Sequence, residues 1–204
     1  YRVSAVDVYG NEGIQSDARS AAALGVGDAT LPFYQLEVSA ENLATLYADP
    51  WKDDEVPGTF TFEDQTYPVD VRFRGNRSRG FGKKSWSVEF PEASPFPGQD
   101  RINIVANWLD HSLLRSKLST DLFEASGIRP PQVEHVLLAL NGEYLGVYTR
   151  NEQVDGAFLE RTNRDAGASI YKVVHSFAKL FPDEAFYHDA YEKKTNEELG
   201  YDDL

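Results

Sequence analysis

Residues 72–90 run Arg72-Phe-Arg-Gly-Asn-Arg-Ser-Arg-Gly-Phe-Gly-Lys-Lys-Ser-Trp-Ser-Val-Glu-Phe90, the densest concentration of reactive chemistry in the chain. Three glycines (Gly75, Gly80, Gly82) are interleaved with five cations (Arg74, Arg77, Arg79, Lys83, Lys84). The sequence holds only 20 Lys and Arg against 33 Asp and Glu, a net charge of −13, so a cationic knot needs a reason. Glycine lets backbone N–H groups approach a ligand closely, and successive N–H groups in such turns form nests for anions. Arginine forks match the paired oxygens of phosphate or carboxylate. The chemistry these types and spacings suit is a phosphate cradle.

The strand that must follow this loop positions one further group. From Lys84 the pattern alternates, with Lys84, Trp86, Val88 and Phe90 on one face and Lys83, Ser85, Ser87 and Glu89 on the other. Lys84 therefore points with the apolar face, towards the core or a cleft in it. Two readings remain. An anion meets the ammonium there, since an unmet buried charge is costly, or a lysine at a strand's first position snorkels out to water.

The other elements follow from periodicity. Tyr34, Leu36 and Val38 alternate as a strand, Ser39 is a plausible N-cap, and Leu43, Leu46 and Tyr47 form a helical stripe that Pro50 stops. Phe60 and Phe62 open a hairpin returning through Val69, Val71 and Phe73, and 101–105 is a short strand. A helix over about 112–125 carries Leu114, Leu118 and Leu122 at i, i+4, i+8, has Asp110 and Ser112 as N-cap candidates, and ends at Gly127. Strands over 132–140 and 143–150 flank Asn141-Gly142, a strong hairpin signal. A short helix (156–161), a strand (169–174) and an acidic, aromatic tail read as helix from Phe181 complete the chain. The fold class this predicts is α+β: an antiparallel sheet with helices packed on it.

Length allows one good core, or one domain plus a remnant. Residues 1–16 resemble the last hairpin of a fibronectin type III module. On that reading 1–23 is the remnant of a β-sandwich with its linker, the Ala- and Gly-rich run 20–30 leads out of it, and a second unit covers 31–204. The start at Tyr1, inside an apparent strand and without a signal peptide, predicts a piece of something longer. The acidic balance argues against nucleic acid as a partner, and no apolar run approaches the roughly 20 residues that span a membrane. Cysteine is absent, which excludes disulfides and thiolate metal sites.

Several chemistries are spelled wrongly or not at all. A P-loop needs Gly five positions before Gly-Lys and Ser or Thr after it, and Arg77 and Lys84 stand there instead. The four histidines are scattered, with no zinc spacing, and there is no Gly-x-Ser-x-Gly elbow or calcium loop. The order hairpin, glycine-rich cationic loop, strand lysine, helix, Asn-Gly hairpin and acidic link is instead close to the nucleotide-binding lobe of a protein kinase. Two features depart from it: kinases place the lysine one strand further on, and helix 112–125 offers Glu124 only near its end.

Three blocks in order, 72–86, 107–118 and 141–148 with Glu152-Gln153, together with Tyr171-Lys172, resemble the CotH kinase family of spore-coat and extracellular bacterial proteins. The resemblance implies a kinase-like N-lobe, present as a fragment with the start of a second lobe, binding ATP with Mg or Mn and phosphorylating Ser or Thr on partner proteins. Carried over by position, Lys84 becomes the catalytic lysine. Arg74, Gly75, Asn76, Arg77, Ser78, Lys83 and Lys84 become the phosphate-binding set, with Arg115 and Glu152 in support. No metal ligand is assigned in this chain; the metal and base would come from the second lobe, so the chain alone should not turn over. The competing expectation is a non-catalytic surface, coat or glycan-associated module of the same fold. A third is a binder of acidic polymers through the same loop. Location at the bacterial cell surface, among protein substrates or coat partners, is implied either way.

Overall fold

Strict alternation of apolar and polar residues produces most of the strands. The computed structural model describes residues 31–93, 96–174 and 185–201; the fibronectin-like stretch expected over 1–23 and the linker to Thr30 lie outside them. In β1 (Phe33–Val38), Tyr34, Leu36 and Val38 are buried and Gln35 and Glu37 exposed. The Ser39 side chain accepts from the Asn42 N–H at 3.1 Å and starts α1 (Ala40–Ala48). β2 (Val56–Phe62) and β3 (Gln65–Phe73) form a hairpin with Tyr67, Val69, Val71 and Phe73 inward. Then come β4 (Trp86–Glu89), β5 (Arg101–Val105), α2 (Arg115–Ala125), β6 (Val133–Leu140), β7 (Glu143–Glu152) and α3 (Gly156–Arg161). β8 (Tyr171–Val173) pairs antiparallel with β9 (Tyr191–Lys193). The tail expected as helix is thus split, since α4 (Ala185–Ala190) leads directly into β9.

The α+β expectation, a sheet with helices packed on it, is overturned. The first seven strands close into a mixed barrel in the order β1-β2-β3-β4-β5-β7-β6, mostly sheet with a few short helices. All neighbours are antiparallel except β1 and β6, which meet in parallel from Phe33↔Leu137 to Leu36↔Leu140. The core therefore lies inside the barrel rather than between a sheet and a helix. Trp86, Tyr34, Tyr148, Phe60 and Phe73 are its largest fully buried side chains, large enough to fill a narrow barrel, and Leu46 of α1 joins the same core. At one end Phe96 plugs the interior among Phe60, Tyr67 and Phe90. At the other end Phe73 packs edge-on against Trp86 and Tyr47 of α1.

The parallel seam is held by the Asn-Gly turn. Asn141 and Gly142 both take positive φ, 49° and 80°, as a tight hairpin requires. The Asn141 side chain accepts from Val38 N–H and donates to Val38 C=O, each at 2.8 Å, so it extends the ladder of β1 by one amide.

Helix α2 does not pack as its leucines suggest. None of its residues is buried, and Leu114, Leu118 and Leu122 are 55%, 67% and 65% exposed. Ser116, Lys117 and Thr120 are its less exposed side chains. No helix among the described residues is long and apolar enough to cross a membrane.

Candidate functional site

The glycine-rich loop closes the Phe73 end of the barrel, between β3 and β4. Gly75 (φ +105°) starts it, and a Cβ there would lie 2.0 Å from the Ser78 hydroxyl; only glycine fits. Arg77–Gly80 then wind into a short 3-10 helix. Arg79, which the sequence left unassigned among the loop cations, organises this turn. Its Nε donates to Gly75 C=O (2.6 Å), Nη1 to the carbonyls of Trp51 and Lys52 (2.9 and 3.0 Å), and Nη2 to Asp53 (2.6 Å). A buried guanidinium satisfied on all sides is a fastener, not a ligand group. It also holds the Asp53 carboxyl below its usual range.

The two lysines diverge. Alternation correctly places Lys84 inward: it is 9% exposed. Its Nζ donates to Arg79 C=O at 2.5 Å and sits 5.4 and 5.6 Å from the Phe73 and Tyr47 ring centroids. No carboxylate pairs with it among the described residues. Lys83 goes to the other side, donating to Val147 C=O at 2.6 Å with its ammonium 4.0 Å from the Tyr148 ring centroid. Burial pushes the Lys83 pKa down.

Lys83, not Lys84, faces a cleft. This opening of about 250 Å³ lies between the loop and residues 105–110, lined by Ser78, Phe81, Lys83, Trp108, Asp110 and Arg115 among others. Phe81 and Trp108 stack across it with centroids 6.1 Å apart. Its far wall is fixed from the strands: Ser85 Oγ accepts from Ala106 N–H (2.9 Å), and Asn107, at φ 48°, donates to the Thr149 hydroxyl (2.9 Å). Asp110 accepts from the Ser112 hydroxyl (2.6 Å) and from the Arg115 N–H (2.9 Å), so it caps the entry to α2, and these bonds, led by that from Ser112, hold its carboxyl low. Leu113 is forced to φ 58°, with His135 Nε2 donating to its carbonyl at 2.7 Å. A branched residue held there marks a backbone over-determined by its surroundings. The Arg115 side chain is 79% exposed and its Nε lies 3.6 Å from the Asp110 carboxylate, a loose ion pair at the mouth of the cleft.

Of the residues singled out by sequence, Ser78, Lys83 and Arg115 meet at this cleft. Arg74 lies beside it in the loop. Its backbone N–H donates to Ser85 C=O at 3.0 Å. Burial, with Arg72 and Arg79 adding like charge, pushes the guanidinium down to about 10; it stays cationic at neutral pH and no side-chain partner among the described residues neutralises it. Gly75 shapes the loop, and Asn76 and Arg77 are exposed at its tip. Glu152 stands apart. Its carboxylate takes both arms of Arg161 at 2.6 Å and the Gln132 N–H at 2.8 Å, tying β7, α3 and the approach to β6 together. It makes no hydrogen bond or ion pair with a loop cation.

The donor set suits phosphate: Lys83, Arg115 and the Ser78 hydroxyl converge from different segments, Arg115 against the loosely paired Asp110 that an incoming anion would displace, beside the uncompensated charge of Arg74. It does not suit a metal, since no cluster of three or more His, Asp or Glu gathers among the described residues.

A family model described as CotH kinase protein matches residues 71–204, from within β3 through the loop and the cleft. Inner spore coat protein H of Bacillus subtilis (strain 168) is 35% identical over 174 residues, 84% of this chain and 46% of that relative. The chain thus spans under half the length of the relative it matches.

Proposed function

The chain belongs to the CotH kinase protein family, and from that premise we propose that the intact domain phosphorylates Ser or Thr of partner proteins with ATP, this chain gripping the nucleotide's phosphates. The observation that carries the reading is the convergence of Ser78, Lys83 and Arg115 on one cleft from two distant blocks of sequence. Phosphoryl transfer asks a protein mainly for positioning and for neutralisation of charge on phosphate oxygens. Lys83 supplies a partly desolvated ammonium, Arg115 an exposed fork that can trade Asp110 for phosphate, Ser78 a hydroxyl, and Arg74 a nearby positive charge. Lys84 acts from beneath, through Arg79 C=O, to hold the loop amides in place. A divalent metal, Mg or Mn, would supply further neutralisation of phosphate charge; no residue of this set is assigned to hold it, nor to act as the base that orients the hydroxyl.

The test is ATP binding with Mg²⁺ by calorimetry, alongside phosphate transfer in the intact protein. Lys83→Ala and Arg115→Ala should each weaken binding by about tenfold, the worth of a charge-assisted hydrogen bond. Unchanged affinity in both variants would overturn the reading. The relative's name, inner spore coat protein H, supports a second reading: a coat-structural module at the spore or cell surface. Wild-type protein that binds no nucleotide, yet assembles, would favour it.

A further inference from the structure

An extra residue in β7 decides which way Tyr148 looks. Leu138 of β6 pairs with Gly146 and Ala139 with Tyr144, so Leu145 stands unopposed as a β-bulge, with Gly146 at φ +90°. Simple alternation would put Tyr144 and Tyr148, four apart in one strand, on the same face. The bulge reverses the parity between them. Tyr144 is 59% exposed, whereas Tyr148 is 1% exposed and pairs with the buried Val136. The inward ring meets Lys83, whose Nζ stands 4.0 Å from its centroid.

We infer that Tyr148 is a positioning residue for Lys83: the face of its ring seats the ammonium so that one N–H is left for an anion in the cleft. An ammonium has three donors and no acceptor. One goes to Val147 C=O at 2.6 Å, and the negative face of the ring takes a second side of the charge. Two fixed contacts at the end of a long flexible stem set where that charge stands. Among the described residues Lys83 has no carboxylate partner, so the carbonyl and the ring alone offset the burial of its charge. The charged groups on the opposite wall of the cleft are Asp110 and Arg115, which pair loosely with each other. Burial pushes the Tyr148 phenol well above its usual range, so the ring stays neutral while Lys83 titrates. The inference rests on the phosphate reading of the cleft, but the seat is read on Lys83 itself, so the two can fail separately.

The test weakens the negative face of the ring with little change of shape. Tyr148→Phe is compared with phenylalanines at position 148 carrying one, two or three ring fluorines. Lysines are labelled with carbon-13, and the Lys83 signal is the one lost in Lys83→Arg. Tyr148→Phe should leave the Lys83 titration as in the wild type. Successive fluorines should lower the Lys83 pKa stepwise, by about 0.5–1 pH unit in all. The alkaline limb of ATP binding with Mg²⁺ should move down by the same amount. A Lys83 titration that ignores the fluorines, in variants that melt together with Tyr148→Phe, overturns the inference and leaves Tyr148 a core residue. Where alkali unfolds the chain first, the Lys83 ε-methylene protons decide at neutral pH. They should be shifted upfield by the ring in the wild type, and ordinary lysine positions there overturn the seat. A Lys83 pKa that follows the fluorines while no variant binds ATP sustains the seat and overturns the phosphate reading.

Discussion

Glu152→Ala separates a structural clasp from a binding residue. The wild-type carboxylate is 5% exposed and accepts three hydrogen bonds, two from Arg161 at 2.6 Å and one from Gln132 N–H at 2.8 Å. Breaking a buried pair by deleting one partner costs about 3–5 kcal/mol. Here the Arg161 side chain is 35% exposed and keeps Pro130 C=O at 3.0 Å, so water recovers part of the loss and about 2–3 kcal/mol is expected. For a chain of this size that is a fall in Tm of about 5–10 °C. Calorimetric melting, urea titration and a double-mutant cycle with Arg161→Ala measure it, with a coupling of about 1–3 kcal/mol between the two sites. ATP affinity of the folded variant should stay within a factor of about two, since no loop cation is touched. A stability loss under about 1 kcal/mol, together with a tenfold loss of ATP affinity, would refute the clasp.

Two further tests address the loop. Gly75→Ala combines positive-φ strain with a contact against Ser78 Oγ, so it should cost about 1–3 kcal/mol in urea unfolding and abolish anion binding; adding Ser78→Gly should restore only part, because the strain remains. Burial lowers the Lys83 pKa, so the folded state releases that proton more readily than the unfolded chain. Stability attributable to Lys83 should therefore rise with pH across the window between its depressed value and 10.5. ATP binding should fall through the same depressed value, and Lys83→Arg should move that fall to higher pH in a fluorescence titration.

Local pattern made the strands legible, and parity rightly sent Lys84 inward. What parity could not say is that inward at this position means the barrel's end, while the cleft opens on the Lys83 side. Closure was illegible for a related reason: alternation describes each strand's two faces, not whether the free edges of β1 and β6 find one another. In α2 the i, i+4, i+8 leucines announced an amphipathic helix without stating which way it turns. Arg79 counts among the loop cations in the sequence, but its fastening role is not legible there, because its acceptors are mostly main-chain carbonyls at residues 51, 52 and 75, which leave no mark in side-chain composition. Glu152 was assigned by position to the site, and only its contact with Arg161 shows the clasp.

The Asn141 amide closes the parallel seam by giving and taking one hydrogen bond with Val38. A carboxylate of the same shape could still take, but it would turn a negative oxygen upon the Val38 carbonyl where an N–H now points. Hydrolysis of that single amide, in a dipeptide whose glycine leaves the neighbouring main chain sterically unguarded, would therefore act as a chemical clock on the barrel, loosening it at the join while every other strand pair stays intact.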